Sequence, residues 1–380
     1  MTTPLTALTT LTLSDLQARI QHASAQRTPL CIRGGGSKDW YGQTPQGEVL
    51  DVSGYHGVVA YEPTELVITV KAGTRLQEVQ TLLAAQGQYL PFEPPQFSAA
   101  STIGGVVAAG LAGPRRAQAG GVRDFVLGAS LLNGAGEHLH FGGQVMKNVA
   151  GYDVSRLLAG SLGVLGVITQ VSLKVLPLPA QEQTLRFAMD ETTALAALNT
   201  WGGQPLPISA SAWQQGTLSV RLSGAAPALV AAQAKMGAQF SHELVAEEDA
   251  TLFWQSLRDQ THAFFTQAGG PTLWRLSVPS TAPALPLGGQ LIEWGGAQRW
   301  VWSDLPVATL REQVAQVGGH ATIYRTQGTQ ASHNKNDSAS PSVFHPVSAP
   351  LLAIHQRLKH EFDPAGIFNP GRLYPFTNQD

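Results

Sequence analysis

The sequence predicts an α+β fold organised as two successive domains. Three observations predict it. Short β-rich runs alternate with amphipathic helical patterns from residue 13 to residue 176. Glycine is dense in that stretch, with 24 of the 40 glycines in residues 1–176 and 15 of them in 101–166. Pro177-Leu178-Pro179 then breaks the last alternating run, and a glycine-poorer, Trp-richer stretch over 185–325 reads as a compact α+β unit.

The first helix is announced by Ser14 as N-cap, Gln17 three residues on and Leu13 as the preceding staple, with Leu16 and Ile20 on one face. A strand at 30–32 runs into Arg33-Gly34-Gly35-Gly36-Ser37. Residues 49–52, 58–61 and 66–70 read as three further strands, the last two split by Glu62-Pro63-Thr64. Thr74 and Gln77 suggest a second capped helix with Leu76, Val79, Leu82 and Leu83 inward and Gly87 as its stop. Residues 126–132 and 137–141 form a predicted hairpin around Asn133-Gly134. From Val167 to Leu176 the residues Val167, Thr169, Val171, Leu173 and Val175 share one face. In the second part, 218–222 and 273–276 read as strands and 247–260 as a helix. Residues 326–342 are polar and read as a loop. A helix over 347–361, with Leu351, Leu352, Ile354 and Leu358 inward, stops at Asp363-Pro364. No internal repeat is visible.

Composition removes several classes of function. Apolar residues make up 43% of the 380, too many for a disordered chain. A net charge of −2 leaves no electrostatic footprint for nucleic acid. Cys31 is the single cysteine, which excludes an internal disulfide and a Cys-ligated zinc or iron–sulfur centre, and suits a reducing compartment. Met1-Thr2-Thr3-Pro4 lacks a basic region followed by an apolar run, so no secretory signal is expected. No apolar run reaches the ~18–20 residues that span a bilayer.

The glycines fall into three clusters. The run Arg33-Gly34-Gly35-Gly36-Ser37-Lys38 after a strand is a candidate anion cradle, because glycine lets backbone N–H groups converge; a plain tight turn is the alternative. It is neither a Walker A loop nor a Rossmann fingerprint. The second cluster runs from Ser101-Thr102-Ile103-Gly104-Gly105 through Gly110, Gly113-Pro114-Arg115-Arg116 and Gly120-Gly121-Val122-Arg123-Asp124. The third comprises Lys147 to Asp153, then Gly160-Ser161-Leu162-Gly163-Val164-Leu165-Gly166-Val167-Ile168-Thr169. Residues 101–166 carry five cations and three anions, a mild bias toward a bound diphosphate.

Together the three clusters resemble the FAD-binding domain of the vanillyl-alcohol oxidase / p-cresol methylhydroxylase (PCMH) superfamily over about residues 25–176. Within it, Glu93-Pro94-Pro95, the 110–116 and 122–128 segments, 141–153 and the tail Phe362 to Arg372 are similar to the family of FAD-binding glycolate oxidase (glycolate dehydrogenase) subunits. The resemblance implies a two-subdomain PCMH-type FAD-binding domain over 1–178, a smaller α+β cap over 179–345, and a C-terminal helix with an Asn-Pro-Gly tail over 346–380 that returns to the flavin domain. It implies FAD held without a covalent bond, since no His stands in the first loop. By resemblance, Arg33, Gly34, Gly35, Gly36, Ser37 and Lys38 hold the diphosphate, and Thr102, Ile103, Gly104 and Gly105 follow the ribityl chain, with Gly110 and Gly113 in the same segment. Arg123 and Asp124 shape the adenosine side, unless Asp124 only pairs with Arg123. Gly163, Gly166, Val167 and Ile168 meet adenine or the ring through backbone.

The same resemblance implies an FAD-dependent oxidoreductase taking part in oxidation of glycolate, a small 2-hydroxy acid, to glyoxylate. Its implied partners are a second, larger flavoprotein subunit and an iron–sulfur subunit. A cytoplasmic location follows, with any membrane association peripheral and borne by partners. The alternatives are a self-sufficient FAD enzyme acting on a 2-hydroxy acid or polyol, and a non-catalytic assembly subunit. One departure matters. Related hydroxyacid dehydrogenases carry an Asp-Gly-Asn-x-His metal segment in the second domain, and none occurs here. His138 and His140 make a same-face pair without a third ligand. His355 and His360 are too far apart on a helix to ligate jointly. No catalytic base is evident. Arg115, Arg116 and Arg325 are candidates to clamp a carboxylate, with diphosphate or partner binding as the alternative for the first two.

Overall fold

A computed structural model describes residues 11–143, 153–266, 271–326 and 342–374. The 1–4 terminus, residues 144–152 with the 147–152 part of the third glycine cluster, and nearly all of the polar 326–342 segment lie outside these residues.

The first part has two cores. One packs helix Leu13–Gln26 against the parallel pair Leu30–Arg33 and Glu48–Asp51 through Leu16, Ile20, Leu30 and Leu50. The helix starts two residues earlier than Ser14 predicts. Thr12 is the N-cap, with Asp15 completing a capping box, because Thr-x-x-Asp offers the same reciprocal bonds. The other core lies under a five-stranded antiparallel sheet ordered Val58–Glu62, Val67–Lys71, Val167–Lys174, Val126–Leu132, His138–Gly142. Helices Leu76–Ala84 and Ile103–Ala109 bury Leu76, Val79, Leu83, Ile103 and Val107 against it.

The second part is an eight-stranded antiparallel sheet drawn from residues 181–326. Its strand order resolves into two halves. Gln181–Ala188, Ile208–Gln214, Thr217–Gly224 and Glu243–Val245 form one split β-α-β-β-α-β unit with helices Glu191–Gly202 and Ala226–Gly237. Thr272–Ser277, Gln290–Glu293, Gln298–Ser303 and His320–Thr326 repeat the order, with a loop in place of the first helix and Val307–Gln316 as the second. The halves join where Trp213 pairs with Ile292. The architecture is thus repeated without the sequence self-similarity that would betray it. We call this unit the cap. One face is covered by its own helices. The other buries Trp254, Leu273, Trp300 and Tyr324 against Tyr41, Leu111 and Leu162 of the first part.

The chain then returns. Helix Ala349–Phe362 does not bury the stripe expected of it, since Leu351 and Ile354 are exposed. Its anchor is Lys359, whose Nζ donates to Val164 O and Phe368 O (both 2.8 Å) and pairs with buried Asp363. The segment after it adds to the first strand: Leu30 N donates to Ile367 O at 2.7 Å and Asn369 N to Leu30 O at 2.9 Å.

Candidate cofactor site

Two adjoining hollows of about 90 and 70 Å³ open in the seam between the two cores of the first part. They share Ile32, Gly34, Gly105, Ala108, Leu162 and Asn369. The glycine loop 34–36 follows directly from strand Leu30–Arg33, and its backbone is pressed against the second cluster. A Cβ on Gly35 would stand 1.5 Å from Ala100 O, and one on Gly34 2.5 Å from Thr102 Oγ1. Gly36 adopts φ +67°, which glycine alone tolerates freely. Ser101 Oγ donates to Ser37 Oγ at 3.0 Å, and Thr102 caps helix Ile103–Ala109 by accepting from Gly105 N. Gly163 is left-handed and abuts Asn369 Nδ2.

Lys38 stands out chemically. Its Nζ is buried and has no hydrogen-bond partner. Burial pushes its pKa down to about 8. Phe97 lies beneath it, 5.5 Å from Nζ to the ring centroid. Arg33 at the loop's start is exposed and pairs with Asp39 at 2.8 Å.

The hollows gather Arg33, Gly34, Gly35, Gly36, Ser37, Lys38, Thr102, Gly104, Gly105, Gly163, Gly166 and Ile168. They do not gather six other candidates. Ile103 and Val167 point into the cores. Gly110 packs on Gly160 and Gly113 on Glu93, so these glycines serve close backbone approach. Arg123 and Asp124 are exposed, and Asp124 accepts from Gly121 N at 2.8 Å in the first turn of a short helix; no Arg123–Asp124 ion pair forms among the described residues.

Two lining residues escaped the sequence reading of the site. Asn369 Oδ1 accepts from Ile32 N at 2.7 Å and its Nδ2 donates to Leu162 O at 2.6 Å, so one side chain ties the first loop to the third. Arg372 Nη1 donates to Gln43 O at 2.6 Å, while Nη2 reaches Lys38 O and Asp39 O. Both stand in the Asn-Pro-Gly-Arg tail, but only the fold brings that tail to residue 32.

Where this seam meets the cap, aromatic rings and cations converge. Arg325 lies 4.5 Å over Trp40 and 5.5 Å from Phe97, and Arg275 donates to Tyr41 OH at 3.2 Å. Among the described residues neither arginine pairs with a carboxylate. Arg115 is different. It bonds Glu93 and Glu182, and Arg221 also bonds Glu93 at 2.8 Å, forming a network across the two parts of the chain. Burial opposes the charge on Glu182, yet Arg221 and Arg115 hold its carboxyl below the usual range. Arg116 stacks on Trp294 at 4.6 Å. Arg115 is therefore not free to clamp a substrate, whereas Arg116 is exposed and forms no ion pair among the described residues. His138 and His140 bond Thr169 and Ser130, and no metal-binding group of His, Cys, Asp or Glu occurs among the described residues.

A family model described as an FAD binding domain matches residues 6–142. The glycolate oxidase subunit GlcE of Escherichia coli (strain K12) is 46% identical over 360 residues, covering 94% of this chain and 96% of that one. The chain belongs to the GlcE family. This GlcE-family chain is thereby an FAD-dependent oxidoreductase of the PCMH-type superfamily. The glycolate oxidase subunit GlcD of Bacillus subtilis (strain 168) is 31% identical over 175 residues, 46% of this chain and 37% of that one. A solved alkyldihydroxyacetonephosphate synthase superimposes with a TM-score of 0.64 at 13% identity, over 94% of this chain and 74% of its own, which establishes the shared fold. Among the described residues no helix of this GlcE-family chain is long and apolar enough to cross a membrane.

Proposed function

We propose that this chain is the FAD-binding subunit of a glycolate-oxidising complex. Its partners are a larger GlcD-like flavoprotein and an iron–sulfur subunit, and it works on the cytoplasmic side, reaching any membrane only through them. The observation that carries the reading is 46% identity over 94% of the chain to a GlcE subunit, in a chain whose glycine loop lines the same hollow as Lys38, a buried ammonium with no partner.

The residues present fit FAD. Gly34, Gly35 and Gly36 line the first hollow without side-chain bulk, and Lys38, lining the same hollow, supplies the charge a diphosphate would satisfy. Thr102, Gly104 and Gly105 supply a wall without side-chain bulk for the ribityl chain, and Gly163, Gly166 and Ile168 the opposite wall. The hollows are smaller than the ~300–1,000 Å³ of an enclosed ligand pocket, so FAD would be held along an open groove rather than enclosed. When bound, the flavin supplies the hydride acceptor.

The chain's own residues do the rest. Arg325 and Arg275 stand beside Trp40 and Tyr41, uncommitted to any carboxylate among the described residues, and take the carboxylate of the 2-hydroxy acid at the cap junction. The aromatic rings around them exclude water and strengthen that attraction.

The test is flavin release from the purified chain and glycolate-dependent dye reduction by the reconstituted complex. Released FAD that is lost in Gly35→Ala, with turnover by the complex, supports the reading. A chain without flavin in any preparation, or a complex inert toward glycolate, overturns it.

A further inference from the structure

The cap contains a carboxyl group that the reading above leaves unused. Glu293 ends the strand Gln290–Glu293 and is 4% exposed. Trp300 Nε1 donates to its Oε2 at 2.6 Å and Gln298 Nε2 to the same oxygen at 3.1 Å. Among the described residues both bonds go to Oε2, none to Oε1, and no ion pair with a cation forms. Burial without a cationic partner favours the protonated form of such a carboxyl, and groups perturbed in this way cluster at functional sites.

Its surroundings supply one. Glu293 borders a cavity of about 20 Å³ between the cap and the 111–113 segment of the first part, room for one water. The polar groups around it come from each packed element: Arg258 in the last turn of helix Glu247–Asp259, Gln260 just after it, Arg275, Gln298 and Tyr324. Glu93 across the interface adds a repulsive charge.

The Tyr324 hydroxyl has a defined role in this cluster. Gln260 Oε1 accepts from Arg325 Nη2 at 2.6 Å, which turns its Nε2 toward Tyr324, 2.9 Å away. The Tyr324 oxygen is therefore an acceptor for Gln260. Its own proton has no acceptor among the described residues and is free for the cavity water. Tyr324 also packs 5.1 Å from Trp40, the ring that carries Arg325. It thus stands between the proposed carboxylate site and the Glu293 cavity.

The hairpin is held for this placement. Trp294, Gly295 and Gly296 run left-handed at φ 55°, 66° and 101°, and Trp294 Nε1 donates to Gly113 O at 3.1 Å. Of these three only Trp294 lacks glycine's freedom at positive φ, and it is the residue next to Glu293.

We propose that Glu293 takes up the hydroxyl proton of the 2-hydroxy acid, through Tyr324 and one water in the cavity between the two parts of the chain. This rests on the functional reading above. The substrate O–H proton passes to the Tyr324 oxygen as the Tyr324 proton passes to the water. The water gives a proton to Glu293 Oε1; bound flavin would supply the acceptor for the C–H bonding pair, so that a carbonyl would form with no further reactant. Glu293 touches no substrate; it acts through Tyr324. Burial, with the Glu93 charge adding to it, pushes its pKa up to about 7 against the two bonds from Trp300 and Gln298, which suits an acceptor near neutral pH.

The test is kcat/KM for glycolate against pH in the reconstituted complex, with Trp emission of the full chain titrated in parallel. Wild type should lose activity below a midpoint near pH 7, and its Trp emission should titrate with the same midpoint through Trp300. Glu293→Gln should abolish both transitions and lower kcat/KM at pH 8 by about 10²–10⁴-fold, the usual worth of a positioned base. Tyr324→Phe should remove the activity limb but keep the emission titration, and Glu293→Asp should restore a limb with a moved midpoint. A limb unchanged in Glu293→Gln, with kcat/KM within threefold of wild type, overturns the assignment. Emission that titrates in a complex inert toward glycolate overturns the functional reading instead.

Discussion

Replacing Asn369 by alanine should loosen the cofactor groove without touching a glycine. Asn369 is 6% exposed and bridges Ile32 N–H and Leu162 C=O, at 2.7 and 2.6 Å. Alanine leaves both backbone groups without their partner, at about 1–3 kcal/mol each. Asn369 also sits at φ +40°, where alanine costs roughly 1–2 kcal/mol. Ile32 is only half-buried and water can reach part of the gap, so the lower end applies, about 3 kcal/mol in all. At ~2–4 °C per kcal/mol for a large domain, the Tm falls by about 6–12 °C. Asn369→Gly removes the same bonds without the conformational cost and should recover about 1 kcal/mol. FAD affinity, read by quenching of flavin fluorescence, should weaken at least ~10-fold because strand Leu30–Arg33 aims the glycine loop. A variant within about 0.5 kcal/mol of wild type that binds FAD normally would refute this account.

Two more outcomes are expected. Lys38→Met should act in opposite directions on the two states. The folded pKa of Lys38 lies near 8, below its ordinary 10.5, so the fold binds fewer protons between those values and apoprotein stability rises with pH across that window. Below pH 8 the full penalty stands, so Lys38→Met should stabilise apoprotein at pH 7 by up to about 3 kcal/mol, while weakening FAD binding; urea titrations with and without FAD measure both. Glu93→Ala leaves buried Arg115 and Arg221 short of their shared carboxylate, at about 3–5 kcal/mol. Calorimetry should show cap and flavin domain melting in separate transitions rather than together.

Much of the fold was legible because local signals and tertiary structure agree. The hairpin strands at 126–132 and 137–141 lie within a residue of Val126–Leu132 and His138–Gly142. Its turn differs. Asn133 Oδ1 accepts from Ala135 N and Glu137 N, and the left-handed residue is Gly136, so a five-residue loop replaces the Asn-Gly turn. Thr74 looked like a helix cap, but its hydroxyl serves Gly57, and Arg75 opens the helix without a side-chain bond. A side chain's choice between a helix end and a distant loop is settled by tertiary contact. The same limit governs the site. Glycines 34–36 and 104–105 were readable because close approach demands them. Asn369 and Glu293 were not, since their roles depend on what lies more than 300 residues away or across the seam. The His138–His140 pair was correctly placed on one strand face.

The strap from Asp363 to Arg372 has a consequence for biosynthesis. It supplies the outer neighbour of strand Leu30–Arg33 and the side chain that fixes Leu162. A nascent chain that has produced all three glycine clusters still lacks the piece that holds them in register. Cofactor capture is therefore an event of the finished polypeptide, and a chain cut short before residue 369 should be made, folded in part and left colourless.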